Sequence, residues 1–435
     1  MKGNGFLSLV VAGIAPILIL FLITLAAGFG LLAWKPPTLW SDTFGGSGGD
    51  NSATVVASDS SGVYVQGYLN NSGLGSGPGS LFLTKYDPTD RIVWTRTIGS
   101  TNDSFIDGLS VGPDGLYLSG GYVGGITLLK YDLSGDKIWA VQFNLSGSQP
   151  GASSVSSAGL YFVGVSATQL PNESYTGAAS FVRRYDLAGN LVWTREFYNG
   201  SALISGVYAS SSGVYVSGVA QTPLPGQSQP GGFLLKYDST GNEVWIRQLS
   251  GVESAIAGDS TGVYLSGSIL LKYGFDGILD WAVRISSPDS SGIDDSSVSV
   301  DSSGVYLSMS TAAIHEFLMK YDPNGNQIWT FQMARPRADY TLGHAYRLSS
   351  GPQGVYVAGS TTDPSGSFPS LALIALVAPS SSLVFVGVNP PWSFVILGGL
   401  IGGAAGGLFF FLRLRRRRIR PPRIGPTSRS LPTTD

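Results

Sequence analysis

Cysteine is absent from the 435 residues of this chain, histidine occurs twice, and charged residues make up only 12%. Without cysteine the protein has no disulfides and no thiolate metal sites, and a lipid anchor attached to cysteine is excluded. A chain with so few charges and no disulfides depends on packing and on backbone hydrogen bonds for its stability.

The residues that are abundant indicate β-structure. The chain contains 60 Gly, 20 Tyr and nine Trp, a composition that favours strands joined by many tight turns. Residues 38–378 carry 16 basic and 27 acidic side chains, whereas residues 413–435 carry eight arginines and one aspartate. A mildly acidic body of this kind argues against nucleic-acid binding.

Two apolar segments flank the acidic region. Residues 6–34 contain no charge and exceed the roughly 20 residues that a bilayer core requires. We predict an uncleaved anchor here, with a cleaved signal peptide as the alternative. The predicted domains are 1–5 (cytoplasmic N-terminus), 6–34 (transmembrane helix or signal anchor), 38–378 (ectodomain), 379–392 (linker), 393–412 (transmembrane helix) and 413–435 (basic cytoplasmic tail).

An arginine cluster directly follows the second apolar segment and consists of Arg413, Arg415, Arg416, Arg417, Arg418 and Arg420. Under the positive-inside rule this cluster predicts a cytoplasmic tail, and Lys2 predicts a cytoplasmic N-terminus. The region between the segments is then outside the cytoplasm, at the surface of the cell membrane. Binding of nucleic acid or anionic lipid by the arginines is the alternative.

The region between the apolar segments is one motif repeated seven times. Gly-Val-Tyr or Gly-Leu-Tyr recurs with its tyrosine at Tyr64, Tyr117, Tyr161, Tyr215, Tyr264, Tyr306 and Tyr356. In six repeats a second tyrosine follows in a Lys/Arg-Tyr-Asp/Gly element, and eight residues later stands Trp94, Trp139, Trp193, Trp245, Trp281 or Trp329. The repeat averages about 49 residues, the size of a four-stranded propeller blade. We therefore predict an all-β fold, a seven-bladed β-propeller.

The fourth repeat shows the expected order of strands. Strand a covers residues 204–210, strand b 214–218, strand c 233–237 and strand d 243–249. The a–b and c–d connections contain Asp, Ser, Gly or Asn, which are typical of tight turns. Polar and apolar residues alternate poorly along the strands, as expected where neighbouring blades cover both sides of each sheet.

The seventh repeat lacks the tryptophan strand. Its strands are predicted at residues 344–350, 355–359 and 371–378, and nothing of the tryptophan pattern follows. The element 39–44 (LWSDTF), which precedes the first repeat, has the missing pattern. We predict that it pairs beside residues 371–378 and closes the ring, so that no sheet edge stays open.

The motif order resembles that of a known repeat family. Residues 45–50 (GGSGGD) and 57–67 (ASDSSGVYVQG) are similar to the SBBP-type β-propeller repeat, and the resemblance covers about residues 38–378. Members of that family are surface or secreted repeat proteins. The resemblance therefore implies a surface-exposed scaffold, and it implies no catalytic residues.

The repeated polar and aromatic residues have structural and functional interpretations. Five aspartates at turn openings are either turn caps or metal ligands, and their spread around a ring favours capping; they are Asp87, Asp132, Asp186, Asp238 and Asp322. The six tryptophans either pack between blades or stack on sugars or bases, and their constant offset favours packing. The Asp-to-Trp spacing is also similar to the docking motif of pyrroloquinoline-quinone propellers, although it is one residue shorter. The eight blades and vicinal cysteines of that family are missing.

His315 and His344, the only histidines, lie in different repeats without a carboxylate or serine partner at motif spacing. We predict surface loop positions for both, rather than metal-binding or catalytic roles.

A candidate calcium loop contains Asp289, Asp294, Asp295 and Asp301, but it lacks a glycine-punctuated ligand pattern. Five sequons are candidate N-glycosylation sites in an extracellular domain; their asparagines are Asn70, Asn102, Asn144, Asn172 and Asn199.

We predict a non-catalytic cell-surface scaffold without a cofactor or metal, which binds a protein or glycan through its membrane-distal loops. These are the b–c and d–a loops, at residues 68–80, 166–180, 219–232, 286–296, 334–343 and 360–370. The alternative is an extracytoplasmic propeller enzyme, a hydrolase or a quinoprotein, with its site at the mouth of the central channel. A cluster of acidic, basic and aromatic groups at that mouth favours the enzyme, and a mouth of Ser, Gly and Val favours the scaffold.

Overall fold

The computed structural model describes residues 38–44, 52–69, 79–89, 91–100, 104–122, 124–143, 148–167, 179–197, 202–224, 226–249, 251, 253–312, 315–333, 347–351, 353–361 and 371–377. These residues belong to one compact unit, Pro36–Leu383. Both apolar segments, the arginine cluster, the five sequon asparagines and His344 lie outside the described residues. Within the described ranges, no helix has the length and apolar character needed to cross a bilayer.

Six sheets are each built from four consecutive antiparallel strands, a to d, and we number them as blades one to six. Blade one contains β2 (Ser52–Asp59), β3 (Gly62–Leu69), β4 (Ser80–Tyr86) and β5 (Ile92–Ser100); blade two contains β6 (Ser104–Gly112), β7 (Gly115–Tyr122), β8 (Gly125–Tyr131) and β9 (Lys137–Phe143). Blade three contains β10 (Gln149–Ser156), β11 (Gly159–Ser166), β12 (Ala179–Tyr185) and β13 (Leu191–Phe197); blade four contains β14 (Ala202–Ser210), β15 (Gly213–Ala220), β16 (Gly231–Tyr237) and β17 (Glu243–Gln248). Blade five contains β18 (Glu253–Gly258), β19 (Val263–Gly267), β20 (Ile269–Tyr273) and β21 (Leu279–Arg284); blade six contains β22 (Ile293–Asp301), β23 (Gly304–Thr311), β24 (Glu316–Tyr321) and β25 (Gln327–Gln332).

The seventh sheet joins the two ends of the described region. It contains β26 (Arg347–Gly351), β27 (Gly354–Thr361), β28 (Leu371–Val377) and, at its outer edge, β1 (Thr38–Phe44). β1 runs antiparallel to β28, with Thr38 opposite Val377 and Phe44 opposite Ala372. This pairing of the N-terminal element beside the last strand confirms the prediction made for residues 39–44.

The innermost strands of successive sheets contact one another, from β2 through β6, β10, β14, β18 and β22 to β26, and β26 contacts β2. Sheets arranged in this way form a β-propeller, so the predicted all-β class and propeller arrangement are confirmed. The predicted blade-four strands are also correct in order. Their observed ends differ by up to two residues: strands a, b and c are longer than predicted, and strand d is one residue shorter.

The two sides of the propeller differ in the connections they carry. The side with the a–b and c–d connections, which we call the turn face, is uniform, because every c–d turn in blades one to six has five residues, such as 87–91. The side with the b–c and d–a connections, the loop face, is irregular. Its b–c loops range from Ser268 alone in blade five to residues 167–178 in blade three.

The core lies between blades and is made mainly by strands b and c. Strands β19 and β23 are buried along their whole length, as expected for sheets covered on both sides. The tyrosine of every Gly-Val/Leu-Tyr motif is almost fully buried. In five blades a lysine from strand c lies over this ring, as Lys320 does over Tyr306 at 4.9 Å.

Candidate functional site

The repeated aspartates of the turn face cap their own turns. In blade four, Asp238 Oδ1 accepts the backbone N–H groups of Thr240 and Asn242 at 2.8 and 2.9 Å. These hydrogen bonds, with one from the Thr240 hydroxyl, lower the pKa of Asp238 to about 2. Asp87, Asp132, Asp186 and Asp322 accept the corresponding pair of N–H groups. The prediction of turn capping is confirmed.

The repeated tryptophans dock on the next blade. Trp193 in blade three donates its indole N–H to the Ser239 carbonyl of the blade-four turn at 3.1 Å. Trp94, Trp139 and Trp281 make the same bond to the following turn, at 3.1 to 3.2 Å. The prediction of packing between blades is confirmed for these four tryptophans, and the turn face is therefore occupied by contacts that assemble the ring.

Several serines of the innermost strands bond to the neighbouring blade. Ser58 of β2 and Ser349 of β26 share a hydroxyl–hydroxyl hydrogen bond of 2.8 Å, and Ser299 of β22 donates to Ser350 of β26 at 2.8 Å. The Ser110 hydroxyl of β6 donates to the Ser153 carbonyl of β10 at 2.9 Å. These serines link neighbouring innermost strands.

One polar cluster on the loop face departs from the repeat. Asp289, in the d–a loop before blade six, lies 2.7 Å from His315 Nδ1 in the b–c loop of that blade. The Thr311 hydroxyl donates to Asp289 Oδ2 at 2.7 Å, and the hydroxyls of Ser287 and Ser291 donate to Oδ1 at 2.6 and 2.7 Å. The side chains of His315 and Asp289 are only 20% and 15% exposed.

The carboxylate of Asp289 is the centre of this cluster. Burial acts to raise its pKa, but hydrogen bonds from Ser287, Thr311, Ser291 and His315 outweigh burial and hold the pKa well below the ordinary 3.8. A carboxylate with several donors ties the segments that carry them together. We therefore name Asp289, His315, Thr311, Ser287 and Ser291 the blade-six clasp.

The clasp corrects the prediction made for His315. His315 lies in a loop as predicted, but a surface position for its side chain is wrong, because that side chain is largely buried and contacts Asp289. The two residues are 26 positions apart. The pairing of Ile293 with Thr311 at the open end of the β22–β23 hairpin brings them together, and no local motif spacing signals such a contact.

The aspartates of the candidate calcium loop are dispersed. Asp289 belongs to the clasp, whereas Asp301 lies at the far end of the nine-residue strand β22, about 25 Å away along an extended chain. Asp301 there accepts the Ser303 backbone N–H at 2.7 Å. Asp295 accepts the N–H of Ser296, and the side chain of Asp294 is outside the described part of the structure. No group of three or more potential metal ligands converges among the described residues.

Replacing Asp289 by Asn is expected to destabilise the protein by about 1–3 kcal/mol at pH 7, because the amide cannot accept all the donors that surround the carboxylate. The contribution of Asp289 is complete above the ordinary carboxyl pKa. It is lost as the pH falls through that value towards the lower folded-state pKa. Urea unfolding at pH 7, 5 and 3.5 should show the difference between variant and parent shrinking below about pH 4.

Asp136→Asn is the matched control for this measurement. Asp136 is exposed and lies 3.7 Å from Arg96, so a change within about 0.5 kcal/mol is expected. A difference for the Asp289 variant that is independent of pH would contradict the assignment of the carboxylate as the charged centre of the clasp.

No protein-family model and no curated protein matches the sequence. Among solved structures, BamB from Moraxella catarrhalis is similar at 13% identity over 79% of this chain and 100% of that chain, with a TM-score of 0.43. BBS1N in a complex with ARL6DN, soaked with mercury, is similar at 11% identity over 81% of this chain and 99% of that chain, with a TM-score of 0.44. A protein of unknown function from Bacteroides caccae is similar at 11% identity over 63% and 96% of the two chains, with a TM-score of 0.38. Similarity at this level carries no argument about function.

Proposed function

We propose that this chain is a non-catalytic scaffold of the SBBP type, anchored in the cell membrane, which binds an extracellular protein or glycan through its loop face. The observation that carries the proposal is the difference between the two faces. Every c–d turn of blades one to six has five residues, whereas the b–c loops range from one residue to twelve.

The turn face has little freedom to serve recognition, because its residues are used in assembly. Trp193 contacts the blade-four turn through Ser239, and Arg195 donates to the Gly241 carbonyl of the same turn at 2.7 Å. A sequence change in such a turn disturbs two blades at once. Irregular loops on a rigid scaffold lack this constraint and are the usual place for binding.

The seventh sheet sets the orientation of the loop face in this proposal. We take it as the seventh blade, closed by β1. Thr38 and Val377 pair at the position that the c–d turn occupies in the other blades, so both ends of the described region lie at the turn face. With residues 6–34 and 393–412 spanning the membrane and both termini in the cytoplasm, the loop face points away from the membrane.

The serine hydrogen bonds of the innermost strands and of the clasp support a scaffold more than an enzyme. The innermost strands contribute serines that bond to neighbouring strands, such as Ser58 and Ser349. In the clasp, the hydroxyls of Ser287 and Ser291 donate to the carboxylate of Asp289. A hydrolase centred on the Asp289–His315 pair is the alternative, and loss of an esterase activity in His315→Gln would support it.

Replacing the b–c loops of blades three and four is expected to abolish binding. In the full chain, residues 167–178 would be exchanged for Asn-Gly and residues 225–230 for a Gly-Ser segment of equal length. The second exchange keeps Leu224, which is buried in the core, so both should leave the blades folded. A photo-crosslinker placed on the loop face of the parent should capture one surface component on intact cells. We expect more than a tenfold loss of capture in the exchanged chain.

A turn-face exchange is the matched control. Residues 132–136 (DLSGD) would take the blade-four turn sequence DSTGN, which preserves the capping aspartate and the glycine. Both proteins should unfold within a few degrees of the parent. If capture survives the loop exchange and is lost in the turn exchange, the binding face is the turn face and the proposal is wrong.

A further inference from the structure

Exposed aliphatic side chains are concentrated on one rim of the propeller. Twelve large hydrophobic residues of the described part of the chain are exposed, and ten of them lie at the turn-face end of strand d or in a c–d turn. We call these ten the rim belt: Ile92, Val93, Leu133, Ile138, Leu191, Val192, Val244, Ile278, Leu279 and Ile328. They are 38% to 64% exposed.

The fold itself does not require apolar residues in the belt. Lys137, Glu243 and Gln327 occupy the same strand position as Ile92 and Leu191, two residues before the tryptophan. Polar side chains are therefore compatible with the start of strand d. Single exposed aliphatic residues are ordinary on protein surfaces, but their repetition at one level in all six blades indicates a surface that is covered.

The arrangement of the belt residues fits contact with a flat surface. Its members lie at one level around the ring, since each stands at the same place in its blade. In the seventh sheet this level corresponds to Thr38, the first residue of β1. Three residues separate the uncharged segment 6–34 from Thr38 in the chain. The two ends of the seventh sheet that pair, Thr38 and Val377, therefore lie on the same side of the propeller as the belt.

We propose that the rim belt contacts the lipid bilayer, so that the propeller rests with its turn face on the membrane surface. This inference depends on the membrane anchorage in the proposed function. It goes beyond that function by assigning the belt aliphatics to the interfacial region of the lipid, where apolar side chains leave water without entering the hydrocarbon centre. The loop face is then held parallel to the membrane and free for its partner.

The absence of cysteine permits a direct test in the full chain. Single cysteines at Val93, Ile138, Val192 and Val244 would carry a nitroxide label in protein reconstituted into zwitterionic nanodiscs. Phe105 and Leu203 are matched controls, because they are exposed to a similar extent (49% and 51%, against 54% for Val93) but lie at the loop-face end of strand a. We expect belt labels to show a several-fold higher ratio of oxygen to nickel-chelate accessibility than the control labels.

A second variant tests whether the belt acts as a unit. With serine at Val93, Val192 and Val244, a label at Ile138 should lose most of its excess oxygen accessibility, while unfolding in detergent stays unchanged. Equal ratios at belt and control positions overturn the proposal. Protease added to vesicles with the propeller outside tests the membrane anchorage separately from the belt contact. If the propeller is digested, the C-terminal tag is protected and the accessibility ratios are equal, the anchorage is supported and the belt contact is wrong.

Discussion

Replacing Trp193 by Ala is expected to lower the free energy of unfolding by about 3–5 kcal/mol, the range for removing a large buried aromatic side chain. Trp193 is only 9% exposed and lies 6.0 Å from the ring of Tyr161, measured between centroids. Its indole N–H bonds to Ser239 in the next blade. The substitution therefore opens a cavity between blades three and four and removes one of the two donors to the Ser239 carbonyl, leaving only Arg184. Urea unfolding of the full chain, followed by tryptophan fluorescence and circular dichroism, measures the loss.

Two control variants separate packing from hydrogen bonding at this position. Trp193→Phe keeps an aromatic ring but loses the indole N–H, so a smaller loss than for Ala is expected, of which about 1 kcal/mol is the hydrogen bond. Gly241→Ala perturbs the same contact from the blade-four turn. A Cβ there would lie 3.0 Å from Trp193 Cδ2, and the φ of +84° is strained for any side chain. If Trp193→Ala unfolds like the parent while Gly241→Ala is destabilised, the turn conformation and not the tryptophan holds the two blades together.

Replacing β1 by a flexible segment of equal length is expected to destabilise the whole propeller. Exchange of residues 38–44 for Gly and Ser removes the strand that covers the outer edge of β28, where Asp42 pairs with Ile374 and Thr43 with Leu373. The seventh sheet would keep three strands and an open edge. We expect the midpoint of thermal unfolding to fall by about 5–10 °C, because the lost strand ladder is worth several kcal/mol in a domain of this size.

The same Gly/Ser exchange at residues 429–435 is the control, because it changes a similar length of chain outside the propeller unit. Its unfolding midpoint should equal that of the parent. An unchanged midpoint for the β1 exchange would mean that the ring is held together without its N-terminal strand. Hydrogen exchange of β27 and β28 provides an independent readout, with faster exchange expected there than in blade three.

The turn chemistry was predictable because it is local and repeats. Asp238 and Gly241 stand in one five-residue turn, so the residues that form the capping bonds are neighbours in the chain. The missing tryptophan strand of the seventh repeat was equally visible. The tryptophan strand is missing after the seventh repeat and present before the first repeat, and this predicted that β1 pairs with β28.

The partners of the repeated side chains needed the tertiary structure. Trp94 donates to Leu133, 39 residues away, because the next blade brings its turn over the indole. The spacing of the motif is the same whether the tryptophan packs within its own blade or on the next one. The orientation of one blade against the next decides between these arrangements.

The amino-acid sequence by itself determined the β-propeller class, the repeat, the turn caps and the strand that completes the seventh sheet, because each of these depends on a pattern within one repeat or on its absence. Only the tertiary structure decided that Asp289 and His315 form a clasp and that the aliphatic residues of strand d are exposed at one rim. The reason is that both features depend on which surfaces remain open after the blades pack. Burial between sheets is a property of the whole ring. Val65 and Val93 are both valines in predicted strands, but the neighbouring blade buries Val65 and leaves Val93 exposed.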